Sequence, residues 1–149
     1  MPPSGHLLRK GRYSEPGRLY LVTVVCAKRQ RHFVDLRAGR QVVHALRSLS
    51  PDAETLCYVI MPDHLHWLLN LRGERSLQAV VQQAKSLATK LIHRSDLSSE
   101  QIWQRGFHDR AVRKEDDLKA MARYVVANPL RAGLVKRLGE YPLWDAKWL

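Results

Sequence analysis

Residues 61 to 71 read MPDHLHWLLNL, and two histidines, His64 and His66, interrupt what is otherwise an apolar stretch. Side chains alternate along a strand, so positions i and i+2 leave the same side of a sheet. His64 and His66 therefore point together, with Leu68 and Asn70 on their face, while Leu65, Trp67, Leu69 and Leu71 take the opposite, core-facing side. Two adjacent imidazoles form a ready bidentate clamp for a metal ion. Histidines that simply sit in the structure or at its surface are the alternative, and the pair alone does not choose between them. A second pair of polar residues lies in EDDLKAMARYVVANP, residues 115 to 129, where Leu118, Met121, Ala122, Val125 and Val126 form one helical stripe. At about 100° per residue, Tyr124 falls roughly 130° from the centre of that stripe and Asn128 roughly 90° from it. Neither is a core position, and being four apart they share one flank of the helix. A half-buried helix tyrosine and an asparagine closing a helix before proline are the structural alternatives.

The elements that would position these residues follow from the pattern. LYLVTVVC, residues 19 to 26, is rich in β-branched and aromatic residues and predicts a strand, followed by the basic turn AKRQRHF. Val42, Val43, Leu46 and Leu49 recur at helical spacing within residues 38 to 49, and Pro51 and Asp52 close that helix. ETLCYVIM and HLHWLLNL are two strands joined by Pro62 and Asp63, an antiparallel hairpin with the histidines at its turn end. Ser76 is the expected N-cap of the next helix, whose stripe runs from Leu77 through Val80, Val81, Ala84, Leu87, Ala88 and Leu91 to Ile92. A strand is expected near Phe107 to Val112. The last helix should start in the acidic run Glu115, Asp116, Asp117 and end near Asn128, because Pro129 disfavours helical geometry just before it. The resulting order, βαββαβ with a hairpin in the middle, is the α+β, ferredoxin-like split βαβ pattern, with an antiparallel sheet and an additional C-terminal helix carrying the tyrosine. That fold hosts many functions and gives none by itself.

Composition narrows the class. The chain has 149 residues and 45% hydrophobic content, which fits one compact domain over 1–149, with a basic N-terminal arm at 1–18 and a C-terminal tail at 136–149. Lys plus Arg is 25 against 14 acidic residues, a net charge of +11, and the arginines are spread along the chain. Such a surface suits a polyanion, most often nucleic acid, with an anionic membrane or plain solubility as alternatives. No run is long enough to span a bilayer and no secretory signal pattern is present, so a soluble, cytoplasmic, nucleoid-associated protein without a membrane partner is expected. Cys26 and Cys57 lack metal-binding or redox spacing and read as ordinary buried thiols.

Three stretches together, MPDHLHWLL, WQRGFHDRAVR and RYVVANPLRAGLV, resemble the REP-associated tyrosine transposases, a branch of the single-tyrosine HUH (IS200-like) transposases. The likeness runs from GRYSEPGRLYLVTVVCAKRQRHF to GEYP. It implies that His64 and His66 are the paired histidines of the HUH motif, that Tyr124 is the nucleophile, and that Asn128 completes a site for Mg²⁺ or Mn²⁺. Ligand type alone would favour manganese or zinc. The closing YPLWDAKWL departs from the family, in which a serine pair often follows YP. The resemblance further implies cleavage and rejoining of single-stranded hairpin DNA, REP-like palindromes, by a monomer or homodimer.

Given that substrate, Arg9, Lys10 and Arg12 in the arm, Lys28, Arg29 and Arg31 after the first strand, and Arg105, Arg110, Arg113 and Arg123 are candidate phosphate contacts. Tyr13, Trp103, Trp144 and Trp148 are candidates for stacking on unpaired bases. A solvated cation or a core aromatic is the competing reading for each. A catalytically silent, domesticated binder of palindromic repeats is the competing function, because a ferredoxin-like sheet also serves RNA-binding domains. Barrel hydrolases with a His-x-His pair need roughly 250 residues and do not fit.

Overall fold

The structure, a computed structural model, describes residues 18–50, 52–113 and 117–147. Its framework is an antiparallel sheet of Arg18–Val25 (β1), Ala53–Met61 (β2), His64–Leu71 (β3), His108–Ala111 (β4) and Trp144–Ala146 (β5), in the order β4-β1-β3-β2-β5. β2 and β3 form the expected hairpin, with Met61 opposite His64 across the Pro62–Asp63 turn. The helices are Leu36–Arg47 (α1), Leu77–Arg94 (α2), Leu118–Val126 (α3) and Asn128–Arg131 (α4). Three of them begin at a side-chain cap, where Asp35, Ser76 and Asp117 accept from the backbone N–H of Arg37, Ala79 and Ala120. The Asp35 cap starts α1 two residues before the expected helix.

Strand alternation sends each face of the sheet to its own helices. Tyr20, Val22, Val24, Leu65, Trp67, Leu69 and Leu71 pack under α1 and α2 against Val42, Leu46, Val80, Val81, Ala88 and Ile92. Leu56, Cys57, Val59, Met61 and Leu68 form a smaller cluster under α3 with Ala122, Val125 and Val126. A bulge between Thr55 and Cys57 shifts the β2–β3 register, and it lets the successive residues Leu56 and Cys57 both join the α3 cluster. Burying each large apolar side chain in these clusters contributes about 1.5–3 kcal/mol before the entropy of ordering it is charged. Cys26 and Cys57 are buried free thiols, both pushed up to about 12 chiefly by burial.

Two expectations need correction. The last long helix stops at Val126, and after Ala127 a separate short helix, α4, begins at Asn128. Proline lacks an N–H and has a fixed φ, which suits the first turn of a helix, so Pro129 opens a new one as well as ending the old. The segment after residue 136 is no mere tail. A 3-10 turn at Leu138–Glu140 leads into β5, which pairs with β2, and the Ile60 N–H donates to Leu143 O at 2.8 Å. The Tyr141 hydroxyl donates to Ile60 O at 2.5 Å. Among the described residues no helix is long and apolar enough to cross a membrane.

Tyr141→Phe removes one hydrogen bond between chain segments far apart in sequence and should lower unfolding free energy by about 1 kcal/mol. Urea denaturation of the two chains checks this; equal midpoints would show that β5 alone holds the segment.

Candidate active site

The β1–β3 register sets Thr23 directly opposite His66 and Val25 opposite His64. Thr23 Oγ1 is 3.0 Å from His66 Nδ1. Asp63, in the hairpin turn, places Oδ1 at 2.7 Å from His64 Nδ1 and Oδ2 at 3.3 Å from Arg29 Nη1. Both Nδ1 atoms therefore have partners within the chain, which orients the rings and leaves their Nε2 atoms for a ligand. The ring centroids are 4.7 Å apart in an edge-to-face arrangement. Burial first, then the neighbouring His64 and the charge of Arg131, push His66 down to about 4. Burial works to raise the Asp63 carboxyl, but hydrogen bonds from His64 and Arg29, with their charges, outweigh it and hold the carboxyl below its usual range. Lys28 and Arg29 both adopt left-handed backbone, with φ of 54° and 56°, in the basic turn that carries Arg29 to Asp63.

Tyr124 leaves α3 on its outer side and is 67% exposed. From α4, the Arg131 guanidinium lies over the Tyr124 ring with its central carbon 3.7 Å from the centroid. Arg131 thus touches the tyrosine and acts electrostatically on His66. The other described tyrosines are unlike Tyr124: Tyr20 is wholly buried, Tyr58 is 8% exposed, and Tyr141 is half-buried and hydrogen-bonded to Ile60. Burial raises the phenols of Tyr58 and Tyr141. Asn128 Nδ2 donates to Val125 O at 2.6 Å, which leaves Oδ1 as its acceptor atom; the structure shows no hydrogen bond between Asn128 and either histidine. Among the described residues no three His, Cys, Asp or Glu side chains converge as a metal centre.

The expected cations divide. Lys28, Arg29, Arg31, Arg105, Arg110, Arg113 and Arg123 are all exposed, and Arg29 is paired with Asp63. Arg9, Lys10, Arg12, Tyr13 and Trp148 lie outside the described residues. Trp103 is not free to stack on bases. It is 6% exposed and packs on Phe33 with ring centroids 5.3 Å apart. Trp144 is half-buried and donates its indole N–H to Leu138 O at 3.2 Å. Sequence reasoning missed Thr23, Asp63 and Arg131. Asp63 was visible as the neighbour of His64; Arg131, two residues past Pro129, was not, because nothing in the sequence says that a new helix starts there. Thr23 had no signal, because its pairing depends on β1–β3 register across 43 residues.

A histidine held below its unfolded value near 6.5 releases its proton more readily when folded, so the folded chain binds fewer protons than the unfolded one between pH 6.5 and about 4. The contribution of neutral His66 to stability is full above pH 6.5 and is lost as pH falls through that window. NMR titration of the metal-free chain should show His66 still neutral at pH 5.5; a midpoint near 6.5 would contradict the burial argument.

The sequence pattern of the family described as Transposase IS200 like matches residues 17–128. Among curated proteins, the chain is similar to a REP-associated tyrosine transposase of Haemophilus influenzae, 25% identical over 142 residues, with 85% of this chain and 78% of the relative covered. It is equally similar to the REP-associated tyrosine transposase of Escherichia coli K12, 25% identical over 134 residues, with 88% and 78% covered. Among solved structures, a REP-associated tyrosine transposase bound to a REP hairpin superposes with a TM-score of 0.74 at 22% identity, covering 97% of this chain and 82% of that one. A transposase of Deinococcus radiodurans superposes at 0.56 with 16% identity, covering 86% and 97%. These structures share the fold with this chain, and the α+β sheet expected from sequence is the one observed. Because the matching pattern runs from the start of β1 to Asn128, most of the sequence, the chain belongs to the IS200-like transposase family, and its likeness within it is to the REP-associated tyrosine transposases.

Proposed function

We propose that this chain cleaves and rejoins single-stranded DNA at hairpin-forming repeats through a covalent 5′-phosphotyrosine on Tyr124. The observation that carries the reading is the placement of Tyr124: it is the exposed tyrosine among those described, and it lies under an arginine whose charge acts on His66. Membership of the IS200-like family and the fold shared with a hairpin-bound relative support the same substrate class.

The histidine pair fits a divalent ion. His66 is held neutral, the protonation state a metal ligand needs, and both Nδ1 atoms are occupied by partners that fix the rings. His64 and His66 would hold the ion through Nε2, with Asn128 Oδ1 as the third protein ligand. When bound, Mg²⁺ or Mn²⁺ supplies charge stabilisation at the non-bridging oxygens of the scissile phosphate.

The Tyr124 oxygen attacks phosphorus and loses its proton, the bond from phosphorus to the 3′ oxygen breaks, and the departing oxygen takes up a proton to leave a 3′-hydroxyl. The phosphodiester energy is kept in the phosphotyrosine, so a second 3′-hydroxyl reseals the strand without ATP. Arg131 restrains the Tyr124 ring through its face and offers positive charge on the side of the histidines. Thr23 and Asp63 act at one remove, holding the imidazoles.

Incubating the chain with hairpin oligonucleotides and Mg²⁺ or Mn²⁺ should give a protein–DNA adduct that survives denaturing electrophoresis and disappears with chelator. Tyr124→Phe should abolish the adduct and leave hairpin affinity within about twofold, since the ring and its arginine contact remain. An adduct formed by the Phe chain at the wild-type rate would sink the assignment.

Thr23→Val frees His66 Nδ1 without altering the strand. The half-maximal metal concentration for cleavage should rise about 10–100-fold, as for other ligand-orienting partners. A metal titration that overlays wild type would show that the Thr23 contact does not serve a metal site.

A further inference from the structure

Thr23 on β1 is the register partner both of His66 on β3 and of His108 on β4, so the three residues stand in one row across the sheet. Directly paired residues share a face. The flanking residues agree, because Ala111 packs with the α1 and α2 cluster and Val112 with the α3 cluster, which turns His108, four residues before Val112, to the histidine face. His108 is exposed there. Arg110 is the next side chain on its strand and face, and Leu21, Thr23 and Val25, none of them titratable, hold that face on β1. The segment that leads to His108 is fixed from the opposite face, where Lys85 of α2, 8% exposed, donates from Nζ to Gln104 O at 3.0 Å and Gly106 O at 2.8 Å. Gln104 N–H donates to Val25 O at 3.0 Å. A short edge strand therefore presents this imidazole from an anchored base.

Strand order sets Tyr124 and His108 on opposite sides of β3. The helix that carries Tyr124 packs on β2 and β5, whereas β4 lies beyond β1 on the other side. In phosphoryl transfer the attacking and departing oxygens lie roughly in line through phosphorus. A phosphate at His64 and His66, attacked by Tyr124 from the β2 side, therefore sheds its 3′ oxygen toward β1 and β4. Two strand spacings, roughly 10 Å between backbones, separate His66 from His108. The short side chain of Thr23, turned to His66 Nδ1, leaves the space between them open to the departing oxygen. Imidazole is the side chain that both gives and takes a proton near neutral pH.

We propose that His108 is a further catalytic residue, the acid that protonates the departing 3′ oxygen on cleavage and the base that deprotonates the incoming 3′-hydroxyl on resealing. On cleavage the Tyr124 oxygen bonds to phosphorus and its phenolic proton passes to solvent, to which the ring is open. The electron pair of the breaking bond goes to the 3′ oxygen, which takes the proton of the His108 imidazolium and leaves a neutral imidazole. Resealing reverses each transfer: His108 takes the proton of the attacking 3′-hydroxyl, and the released Tyr124 oxygen regains one from solvent. The assignment rests on the strand cleavage proposed above. Its test compares a hairpin substrate with one carrying sulfur in place of the scissile 3′ oxygen, because a thiol ionises near pH ~8.5 and its sulfur departs without a proton. His108→Gln should slow adduct formation about 100-fold on the oxygen substrate and less than about threefold on the sulfur one. Hairpin affinity without metal, measured by fluorescence anisotropy, should differ by less than about threefold, since the contact is made to an oxygen that carries charge only in the transition state. Equal rates for the two chains on the oxygen substrate, equal slowing on both substrates, or a loss of affinity as large as the loss of rate would each overturn the assignment. The last two outcomes would make His108 a positioning or binding residue. Adduct from the wild-type chain on neither substrate would overturn the cleavage reading and this one with it, whereas wild-type adduct that His108→Gln leaves unchanged would overturn this one alone.

Discussion

The pairing of β1 with β3 is the constraint on which the candidate site depends. A slip of one residue would turn every β3 side chain to the other face, sending Trp67 into the α3 layer and His66 into the core. The register is specified by burial: Trp67, Leu69 and Leu71 are wholly buried under α1 and α2, and the indole N–H of Trp67 donates to Thr55 Oγ1 at 3.0 Å on β2. With those side chains fixed on one face, His64, His66 and Thr23 have no choice but the other. The orientation of each imidazole is thus a consequence of core packing some residues away, delivered through the period of two that a strand imposes.

The second layer is built differently. α3 rests on a small cluster in which it buries Ala122, Val125 and Val126, whereas α2, twice as long, buries a full stripe from Leu77 to Ile92. The bulge in β2 enlarges the patch available to α3 by turning Leu56 and Cys57 to it together. The break at Ala127 then redirects the chain so that Arg131, on a new helix, returns over Tyr124. A continuous helix would have carried residue 131 about 10 Å further along its axis than residue 124, at 1.5 Å per residue.

How much of this was legible follows from where each residue's position is decided. The hairpin, the Ser76 cap and the two-faced division of β3 are local patterns, and all three are observed. The exposure of Tyr124 also followed from helical phase alone. Thr23 became visible only with a partner strand 43 residues away, and Arg131 only once Pro129 was seen to start a helix. Trp103 was open between a stacking surface and a core position, because the sequence does not show the bridge from Cys26 to Trp103 that draws it into the core beside Phe33. The roles of His64, His66, Tyr124 and Asn128 came from family resemblance, since spacing leaves a structural histidine pair and a surface tyrosine equally open.

The two layers differ in stability in a way that suits the proposed chemistry. Local opening costs least where few apolar contacts and short elements hold the backbone. The histidines sit on the strand at the centre of the sheet, hydrogen-bonded on both sides, and cannot move without disrupting the core. Tyr124 rides on a nine-residue helix over the smaller cluster. A nucleophile that must hold a DNA end covalently and then yield it to another 3′-hydroxyl needs a carrier able to shift against a fixed electrostatic centre. Arg131 opposes that freedom only weakly, because an exposed cation–π contact contributes about 0.5–1 kcal/mol, enough to favour one orientation of the ring and little enough to be exchanged for a phosphate. On the proposed mechanism, the rigid element therefore carries the groups whose geometry would set charge stabilisation, and the adjustable one carries the atom that would form and break bonds.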